Sequence, residues 1–527
     1  MSTELQQPLM LASVAEALEW LRQHGVTSLT VDSRAIAARA ADGVGFIAWP
    51  GAARDGRGYV QSALNDGARA CLVEADGIEN FKFNDGRIAA LKGLKAASAE
   101  IAHGFYGEPS ALLQVVAVTG TNGKTSTSWW TAQALTALGQ PCGVVGTLGV
   151  GRVDQGDVLS TGLTTPDPVT LHATFRQFVN QGLRAAAIEA SSIGIEELRL
   201  HATHIAVAQF TNFTQDHLDY HGSMDAYWLA KRELFNWPGL RAAVINLDDP
   251  MGFALNDHVE PRSLDVWTYG VDQQARLQAT DVRHEGEGVS FVVCERDQAG
   301  AQVLDQARMS APVIGAFNVS NLLAVVGALR ALGVSLQDAA QACGNLRAVP
   351  GRMQLVRLPE AASHAVASAL PLVVVDYAHT PDALQKALEA LRPVVQARQG
   401  RLWCVFGCGG NRDPIKRPLM GAVADQYADQ VVLTSDNPRD EVPAYILSQI
   451  LAGVARRDGV DVFEDRREAI AHAVSEADPV DVVLIAGKGH ESTQEVSGMK
   501  YAFSDVDESL RGLQLRRDAS VHSGGQA

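Results

Sequence analysis

VVAVTGTNGKTS, residues 115–126, decides how this chain is read. Val115–Val118 is a short apolar run, the pattern of a buried strand. It breaks into Thr119-Gly120-Thr121-Asn122-Gly123-Lys124-Thr125, and the stretch from Ser126 to Leu138 predicts a helix. Strand, glycine-rich turn and helix N-terminus together make an anion site, because backbone N–H groups and the helix dipole point at one place. Lys124 adds a cation, and the Thr125 hydroxyl can hold Mg²⁺. The template G-x-x-x-x-G-K-[ST] needs a glycine at 118, where this chain has Val118, so the loop is a shortened form. The plain alternative is a tight turn before a helix; the Lys-Thr pair and the strand–turn–helix setting favour phosphate.

At 527 residues the chain is too long for one core, and about three domains are expected. A hydrophobic share of 46% and a charged share of 20% fit a soluble globular protein. The net charge of −16 disfavours nucleic acid and anionic membrane as partners. Cys71, Cys142, Cys294, Cys343, Cys404 and Cys408 form no Cys-x-x-Cys pair and no disulfide framework, so buried thiols in a reducing cytoplasm are expected. The first residues lack a basic region followed by an apolar core, so no signal peptide is expected. No stretch reaches membrane-spanning length, and membrane insertion is not expected.

The predicted fold class is α/β in three domains. Residues 1–97 form a small α/β domain, with a helix over Leu11–His24 and strands at Leu29–Val31, Phe46–Trp49 and Ala70–Glu74. Residues 98–347 form a central P-loop mononucleotide-binding domain, with strands at Ala185–Glu189, Ile205–Phe210 and Ala242–Asn246. Gln278–Val303 predicts an antiparallel patch, and Gly315–Leu332 a helix. After a hinge at Val349-Pro350-Gly351 and an Ala/Ser-rich loop over 360–370, residues 348–527 form a Rossmann-like doubly wound domain. Its strands are Leu372–Val375, Leu402–Phe406, Gln430–Thr434 and Asp481–Ile485. The polar end, 516–527, is expected to be disordered.

Ligands of open α/β sheets sit beyond the carboxyl ends of strands. Two such ends here are Glu189-Ala190-Ser191-Ser192 and Thr211–Phe235, where Asp216, His217, Asp219 and His221 fall within six residues. Singly these read as caps and surface residues; together they could orient a metal, although Mg²⁺ prefers oxygen. By spacing alone Lys231 is a solvated helix position. In the third domain, Gly407-Cys408-Gly409-Gly410-Asn411-Arg412 has Arg412 where a dinucleotide fingerprint needs glycine, so NAD is disfavoured. Arg412, Lys416 and Arg417 make a basic cluster suited to carboxylate or phosphate. Asp376–Asp382, Asp436-Asn437-Pro438-Arg439 and Gly487–Glu491 also follow strands, and the four stretches are best read as one site.

The chain resembles the Mur ligases, ATP-dependent amide ligases of bacterial cell-wall synthesis, and among them the diaminopimelate-adding members. The motifs that carry the resemblance are TGTNGKT at 119–125, EASS at 189–192, DHLDYHG at 216–222, AFNVSNLLA at 316–324, GRM at 351–353, DYAHTPD at 376–382, FGCGGNRD at 406–413, DNPR at 436–439 and AGKGHE at 486–491. The resemblance implies that Gly120, Thr121, Asn122, Gly123, Lys124, Thr125 and Ser126 bind ATP phosphates. It implies that Asn318, Arg352, Asp376 and His379 line the nucleotide. Mg²⁺ is assigned to Thr125, Glu189, His217 and Lys231, the last as N6-carboxylysine, a CO₂-derived carbamate; Lys124, Glu189, His217 and Lys231 are the catalytic set. The UDP-sugar-peptide, UDP-N-acetylmuramoyl-L-alanyl-D-glutamate, is assigned to Val31, Ser33, Ala52, Ala53, Arg54, Leu163, Thr164, Thr165, Ser191, Glu197 and Arg199. Leu163, Ile193 and Glu197 depart from an Asn, a His and a Gln common in relatives. meso-Diaminopimelate is assigned to Arg412, Asp436, Asn437, Pro438, Arg439, Gly487 and Glu491. Arg439 would grip the distal carboxylate and Glu491 the distal ammonium. A monomer is expected. The rivals are a folylpolyglutamate synthetase-like ligase and a nucleotide-switched binding protein.

Overall fold

The computed structural model describes residues 8–51, 54–285, 288–298, 300–358, 370–456 and 459–524. Ala52, Ala53 and most of the expected 360–370 loop lie outside the described residues. The chain divides into two compact units, Met1–Thr268 with Gly327–Gly333, and Tyr269–Val326 with Val334–Ala527.

The first unit opens with a parallel sheet: β1 (Leu9–Leu11), β2 (Ser28–Thr30), β3 (Val44–Ala48), β4 (Ala70–Glu74) and β5 (Ile88–Leu91), in the order β1-β5-β4-β3-β2. Helices Val14–Gln23 and Leu94–Phe105 pack on one face and Val60–Asn65 on the other. The first helix starts three residues later than expected for a local reason. Ser13 Oγ accepts the Glu16 N–H, the N-cap bond, and Glu16 Oε2 accepts the N–H of Ala12 just before the cap, which together fix the helix start.

The same unit then builds β6 (Gln114–Thr119), β7 (Cys142–Gly146), β8 (Gly149–Arg152), β9 (Asp157–Leu159), β10 (Ala185–Glu189), β11 (Val207–Phe210) and β12 (Ala242–Asn246). Their order is β12-β11-β6-β10-β7-β8-β9. The five strands β12, β11, β6, β10 and β7 are parallel, and their apolar runs are buried, as strands covered on both faces must be. The carboxyl end of β6, at the middle of the sheet, therefore faces those of β10 and β11. The phosphate loop, Glu189 and Thr211 are brought to one place by topology.

In the second unit β14 (Leu277–Glu285), β15 (Gly288–Arg296) and β16 (Val303–Ala311) form the expected antiparallel patch; β13 (Asp265–Gly270), whose last two residues belong to this unit, pairs with β14 in parallel. The C-terminal sheet holds β17 (Gln354–Val356), β18 (Leu372–Asp376), β19 (Leu402–Phe406), β20 (Gln430–Leu433), β21 (Val460–Val462) and β22 (Val482–Ala486) in the order β17-β18-β22-β19-β20-β21. All neighbours are parallel except β17. A separate apolar core covers each face, the doubly wound arrangement. A hairpin, β23 (Thr493–Val496) and β24 (Met499–Ala502), follows.

The chain end corrects the sequence reading. A helix runs over Asp505–Gly524 where 516–527 was expected to be disordered; residues 525–527 are not described. Leu513 is buried against the core that holds Val474, and Arg516 donates to the carbonyls of Val474, at 2.7 Å, and Ser475, at 3.0 Å. A few apolar positions in a polar run suffice to dock a helix when it also caps another helix's free carbonyls. Among the described residues no helix is long and apolar enough to cross a membrane.

Candidate active site

Lys124–Ala137 is the helix after β6, so Lys124 and Thr125 stand in its first turn rather than before it. Gly123 is its N-cap at φ +86°. Gly120, at φ +147°, lies against the end of β11: a Cβ there would fall 1.9 Å from Thr211 Oγ1. Only glycine permits that approach. Asn212 holds the loop from the other side, accepting the Asn122 N–H on Oδ1 at 2.9 Å and the Thr121 N–H on its carbonyl at 2.8 Å.

Two ammonium groups meet at the Gly120 carbonyl. Lys124 Nζ donates to it at 2.7 Å and Lys231 Nζ at 2.8 Å. Lys231 comes from helix Met224–Arg232, is 1% exposed, and sits 4.3 Å from the Tyr227 ring centroid. Burial pushes its ammonium far below the usual lysine range, and the Lys124 charge pushes it the same way. The solvated position expected from spacing is thus corrected. Tyr227, Trp228, Leu234 and Phe235 are buried, and the helix turns the Lys231 side inward with them.

Glu189, at the end of β10, is 1% exposed. Its Oε2 accepts from Thr125 Oγ1 at 3.1 Å and from Thr147 Oγ1 at 3.0 Å, and its Oε1 accepts the Thr147 N–H at 2.8 Å. Thr147 Oγ1 is 3.1 Å from Thr164 Oγ1. Thr165 Oγ1 donates to the Glu189 carbonyl at 2.7 Å, and Arg199 Nη1 donates to the Thr165 carbonyl at 2.9 Å. Ser191 Oγ lies 3.0 Å from Thr165 Oγ1. His217 stands at φ +51°, with its ring centroid 6.1 Å from that of Tyr227. Burial lowers its pKa, opposed by Asp216. Thr125, Thr147, Glu189 and Lys231 therefore crowd around the loop, with His217 packed edge-on against Tyr227 and within reach of the Lys124 and Lys231 charges.

In the second unit the ends of β18, β19, β20 and β22 carry the other stretches. Asp376 is half-buried; its Oδ2 accepts the Met353 N–H at 2.7 Å and its Oδ1 the Ala378 N–H at 2.9 Å. Burial raises its pKa, against the pull of Arg352. Arg352 lies 4.5 Å from the Tyr377 ring centroid, and His379 and His490 pack on the same ring. Asn318 Nδ2 donates to the Ile314 carbonyl at 2.7 Å, and its Oδ1 accepts from Asn321. Arg439 stands at φ +52°, donates to the Gly410 carbonyl at 2.8 Å, and pairs with Glu495 at 3.5 Å. Asn437 Nδ2 donates to Glu491 Oε2 at 2.8 Å. Asp436 is buried against Gly487, where a Cβ would sit 2.6 Å from Asp436 Oδ2.

With this geometry in hand, comparison with known proteins is direct. The Mur ligase middle domain matches residues 118–329, and the Mur ligase glutamate ligase domain matches residues 351–489. The UDP-N-acetylmuramoyl-L-alanyl-D-glutamate–2,6-diaminopimelate ligase of Acidovorax sp. (strain JS42) is 53% identical over 513 residues, 96% of this chain and 98% of that one. The chain belongs to the Mur ligase family. A solved structure of a ligase of that same name has a TM-score of 0.63 at 34% identity, covering 94% of this chain and 96% of the other. The MurF ligase of Thermotoga maritima, described in complex with ADP, shares the fold at 18% identity, with a TM-score of 0.63, 95% of this chain and 99% of that one covered.

Not every expected residue of this Mur ligase joins its cluster. Arg417 is buried and bidentate to Glu441, at 2.8 Å on both oxygens, and holds that carboxyl down at about 2; it is a structural ion pair and leaves the basic cluster. Lys416 donates to the His379 carbonyl at 2.9 Å, and Arg412 is exposed. Leu163 is 44% exposed. Glu197 pairs with Lys95 at 2.6 Å and accepts from Tyr220 Oη at 3.0 Å. Val31 packs on the N-terminal core, Ser33 opens the turn Ser33–Ala35, and Arg54 Nη1 reaches Tyr59 Oη at 3.4 Å. Pro438 approaches Gly410 closely enough to exclude a Cβ.

Thr147, Tyr227 and Glu495 were not singled out in the sequence, and Asn212, Tyr377 and Lys488 stood there only as members of strand-end stretches, with no role of their own. Tyr377 and Lys488 lie inside quoted motifs, so a question about their role could have found them. The buried Arg466–Asp505 pair also went unnoticed. Arg466 Nη2 donates to the Ala486 carbonyl at 2.8 Å while Asp505 holds the guanidinium on both oxygens at 2.7 and 2.8 Å, fixing the end of β22.

Proposed function

We propose that this Mur ligase joins meso-diaminopimelate to the D-glutamyl carboxylate of UDP-N-acetylmuramoyl-L-alanyl-D-glutamate, using ATP, in peptidoglycan precursor synthesis. The observation that carries it is the convergence of Lys124 and Lys231 on the Gly120 carbonyl beside the Thr125–Glu189 pair. Such a cluster suits a polyanion at a helix N-terminus. Relatives bearing that substrate name match over nearly the whole length, which supports the choice of substrates.

The D-glutamyl γ-carboxylate takes the γ-phosphoryl group and ADP leaves. The amine then attacks the acyl phosphate, and phosphate and a proton depart. Backbone N–H groups of residues 123–126 and Lys124 hold the phosphates, so charge is met as it moves. Thr125, Glu189, His217 and Lys231 are the residues that would hold Mg²⁺. Thr125 and Glu189 offer oxygen, His217 offers nitrogen, and Lys231 would add oxygen only as a carbamate; Mg²⁺ takes few protein ligands and completes its shell from phosphates and water, and its role would be to neutralise phosphate charge. Lys231 fits carbamylation: burial and the Lys124 charge both favour the uncharged amine, the form that adds to CO₂, and the resulting carboxylate would turn repulsion from Lys124 into attraction. Thr164, Thr165, Ser191, Arg199 and Glu197 would orient the muramoyl-peptide, and Val31, Ser33 and Arg54 its UDP group.

Division into 1–97, 98–347 and 348–527, for nucleotide-sugar, ATP and amino acid, is part of this reading; the second boundary falls between β16 and β17, whereas the first cuts the helix Leu94–Phe105, whose Ile101 and Ala102 belong to the N-terminal core. So is a monomer in the cytoplasm, in keeping with six free, buried thiols. ADP release is the test, with the UDP-muramoyl-dipeptide and a panel of amino acids. Release that depends on both the sugar-peptide and diaminopimelate supports the proposal. Turnover indifferent to the sugar-peptide would point to a nucleotide-driven switch.

A further inference from the structure

The amino-acid site assigned above consists of acidic and basic groups that already meet in pairs. Lys488 is fully buried, and its ammonium donates to Glu491 Oε2 at 2.9 Å and to Asn437 Oδ1 at 3.0 Å. Asn437 Oδ1 also accepts the Glu495 N–H at 2.9 Å, while Asn437 Nδ2 donates to Glu491 Oε2. Glu495 Oε2 stands 3.5 Å from Arg439 Nε. The Glu495 backbone carries the contact further: its carbonyl accepts the Arg439 N–H at 3.0 Å, and the Ser497 N–H returns to the Arg439 carbonyl at 2.7 Å. Gln494 Nε2 donates to the Asp436 carbonyl at 2.8 Å. Two ion pairs, Lys488–Glu491 and Arg439–Glu495, thus flank one asparagine, and the hairpin β23–β24 is tied to the loop that carries Arg439. Asp436 and the exposed Arg412 add one charge of each sign.

We propose that Lys488 and Glu495 are specificity-determining positioning residues, which make the site electrically balanced so that it selects an amino acid whose far end is a zwitterion. This rests on the reading of the site as the one that takes the amine substrate. The physical reason is charge accounting in a part-buried site. Arg439 and Glu491 each present one opposite charge to the ligand, but each is already held by a partner of the other sign. A ligand end bearing both ammonium and carboxylate adds no net charge, and each arm finds its counter-charge. A lone distal ammonium leaves the site one unit positive, and a lone distal carboxylate leaves it one unit negative. Specificity then comes from a balance of four charges, not from Arg439 alone. Lys488 also takes Glu491 Oε2, which leaves Oε1 as the oxygen to meet an incoming ammonium.

The balance predicts opposite errors from opposite deletions. Lys488→Met keeps the chain's volume and leaves the site one charge more negative. Its kcat/KM for L-lysine relative to meso-diaminopimelate is expected to rise by roughly tenfold or more. Glu495→Gln keeps the shape and leaves the site one charge more positive. Its kcat/KM for 2-aminopimelate, which lacks the distal amine, is expected to rise relative to diaminopimelate by a similar factor. Both shifts are expected in KM more than in kcat, and Lys488→Arg is expected to restore part of the first. Steady-state kinetics of the full-length enzyme with the three amino acids decides the matter. Loss of activity with all three in the same proportion, or a shift of both variants toward the same analogue, would overturn the inference, because damage to the fold has no reason to choose a sign. Should Lys488→Met not fold, Glu495→Gln on the surface hairpin carries the test alone. Wild-type enzyme that does not use diaminopimelate would instead sink the substrate assignment.

Discussion

The phosphate loop and the amino-acid site both gather charges at the ends of parallel strands, but they arrange them differently. At the loop, two lysine ammoniums share the Gly120 carbonyl. At the ends of β20 and β22, Arg439 faces Glu495 and Lys488 faces Glu491. The first arrangement is held in place by packing against its own electrostatics: burial and the Lys124 charge both push the Lys231 pKa well below the usual lysine range. The second is close to balanced before any ligand arrives. On the proposed reading the difference fits what each place would hold: basic groups gathered at a helix N-terminus suit a triphosphate, and paired charge suits a zwitterion.

The comparison breaks most severely if Lys124 proves dispensable. Lys124→Ala is expected to lower substrate-dependent ADP release by about 10³-fold or more while leaving the melting temperature within a few degrees. Near-normal turnover in a folded variant would remove the phosphate loop from the argument. Next in size is Lys231→Ala, for which a loss of about 10²-fold is expected. Part of it should return with millimolar short carboxylic acids, which can place a carboxylate where the carbamate would be. Depleting CO₂ from the wild-type assay should lower activity as well; indifference to both treatments argues for a plain amine.

Arg439→Lys sharpens the other half of the comparison. Lysine cannot reproduce the guanidinium fork, so preference for diaminopimelate over L-lysine is expected to fall by roughly 10²-fold, read as a ratio of kcat/KM values. Unchanged preference would assign the choice to other side chains. The smallest effect concerns stability and marks the pH range in which these charges can be read. His172 is buried, its Nε2 faces the His201 carbonyl and its Nδ1 has no partner among the described residues. Burial therefore pushes it down from 6.5 to about 3, helped by His103 and His204. The unfolded chain binds this proton and the folded one does not, so stability is intact above pH 6.5 and falls as pH drops toward 3. The cost is about 1.4 kcal/mol for each pH unit in that window. His172→Phe should flatten the acid limb of urea denaturation by that amount and leave kcat at neutral pH unchanged. An identical limb in the variant would mean that other groups carry the acid sensitivity.

The legible parts of the chain were those where local sequence and tertiary role coincide. β6 and its helix announce themselves because a buried parallel strand must be an apolar run and a phosphate turn must be glycine-rich. Glu189, Asp376 and Asp436 were visible as polar residues at strand ends. Lys231 was misread by spacing because one lysine among four apolar residues does not reveal which way its helix will roll. Arg417 was misread because a basic residue beside two others looks like a binding cluster until Glu441 is found 2.8 Å away. The end helix was misread because its docking face is only a few residues wide.

By itself the sequence determined the class of fold, the order of its motifs, and the chemistry that each motif can perform. These depend on periodicity and on residue type, both of which are local. Only the tertiary structure decided that Lys231 shares a carbonyl with Lys124, that Asn437 stands between two ion pairs, and that Glu495 reaches Arg439 from a hairpin. Those facts join residues from about fifty to more than a hundred positions apart, and the strength of a charge depends on what surrounds it. A sequence names the charges; the fold chooses their neighbours and removes the water between them.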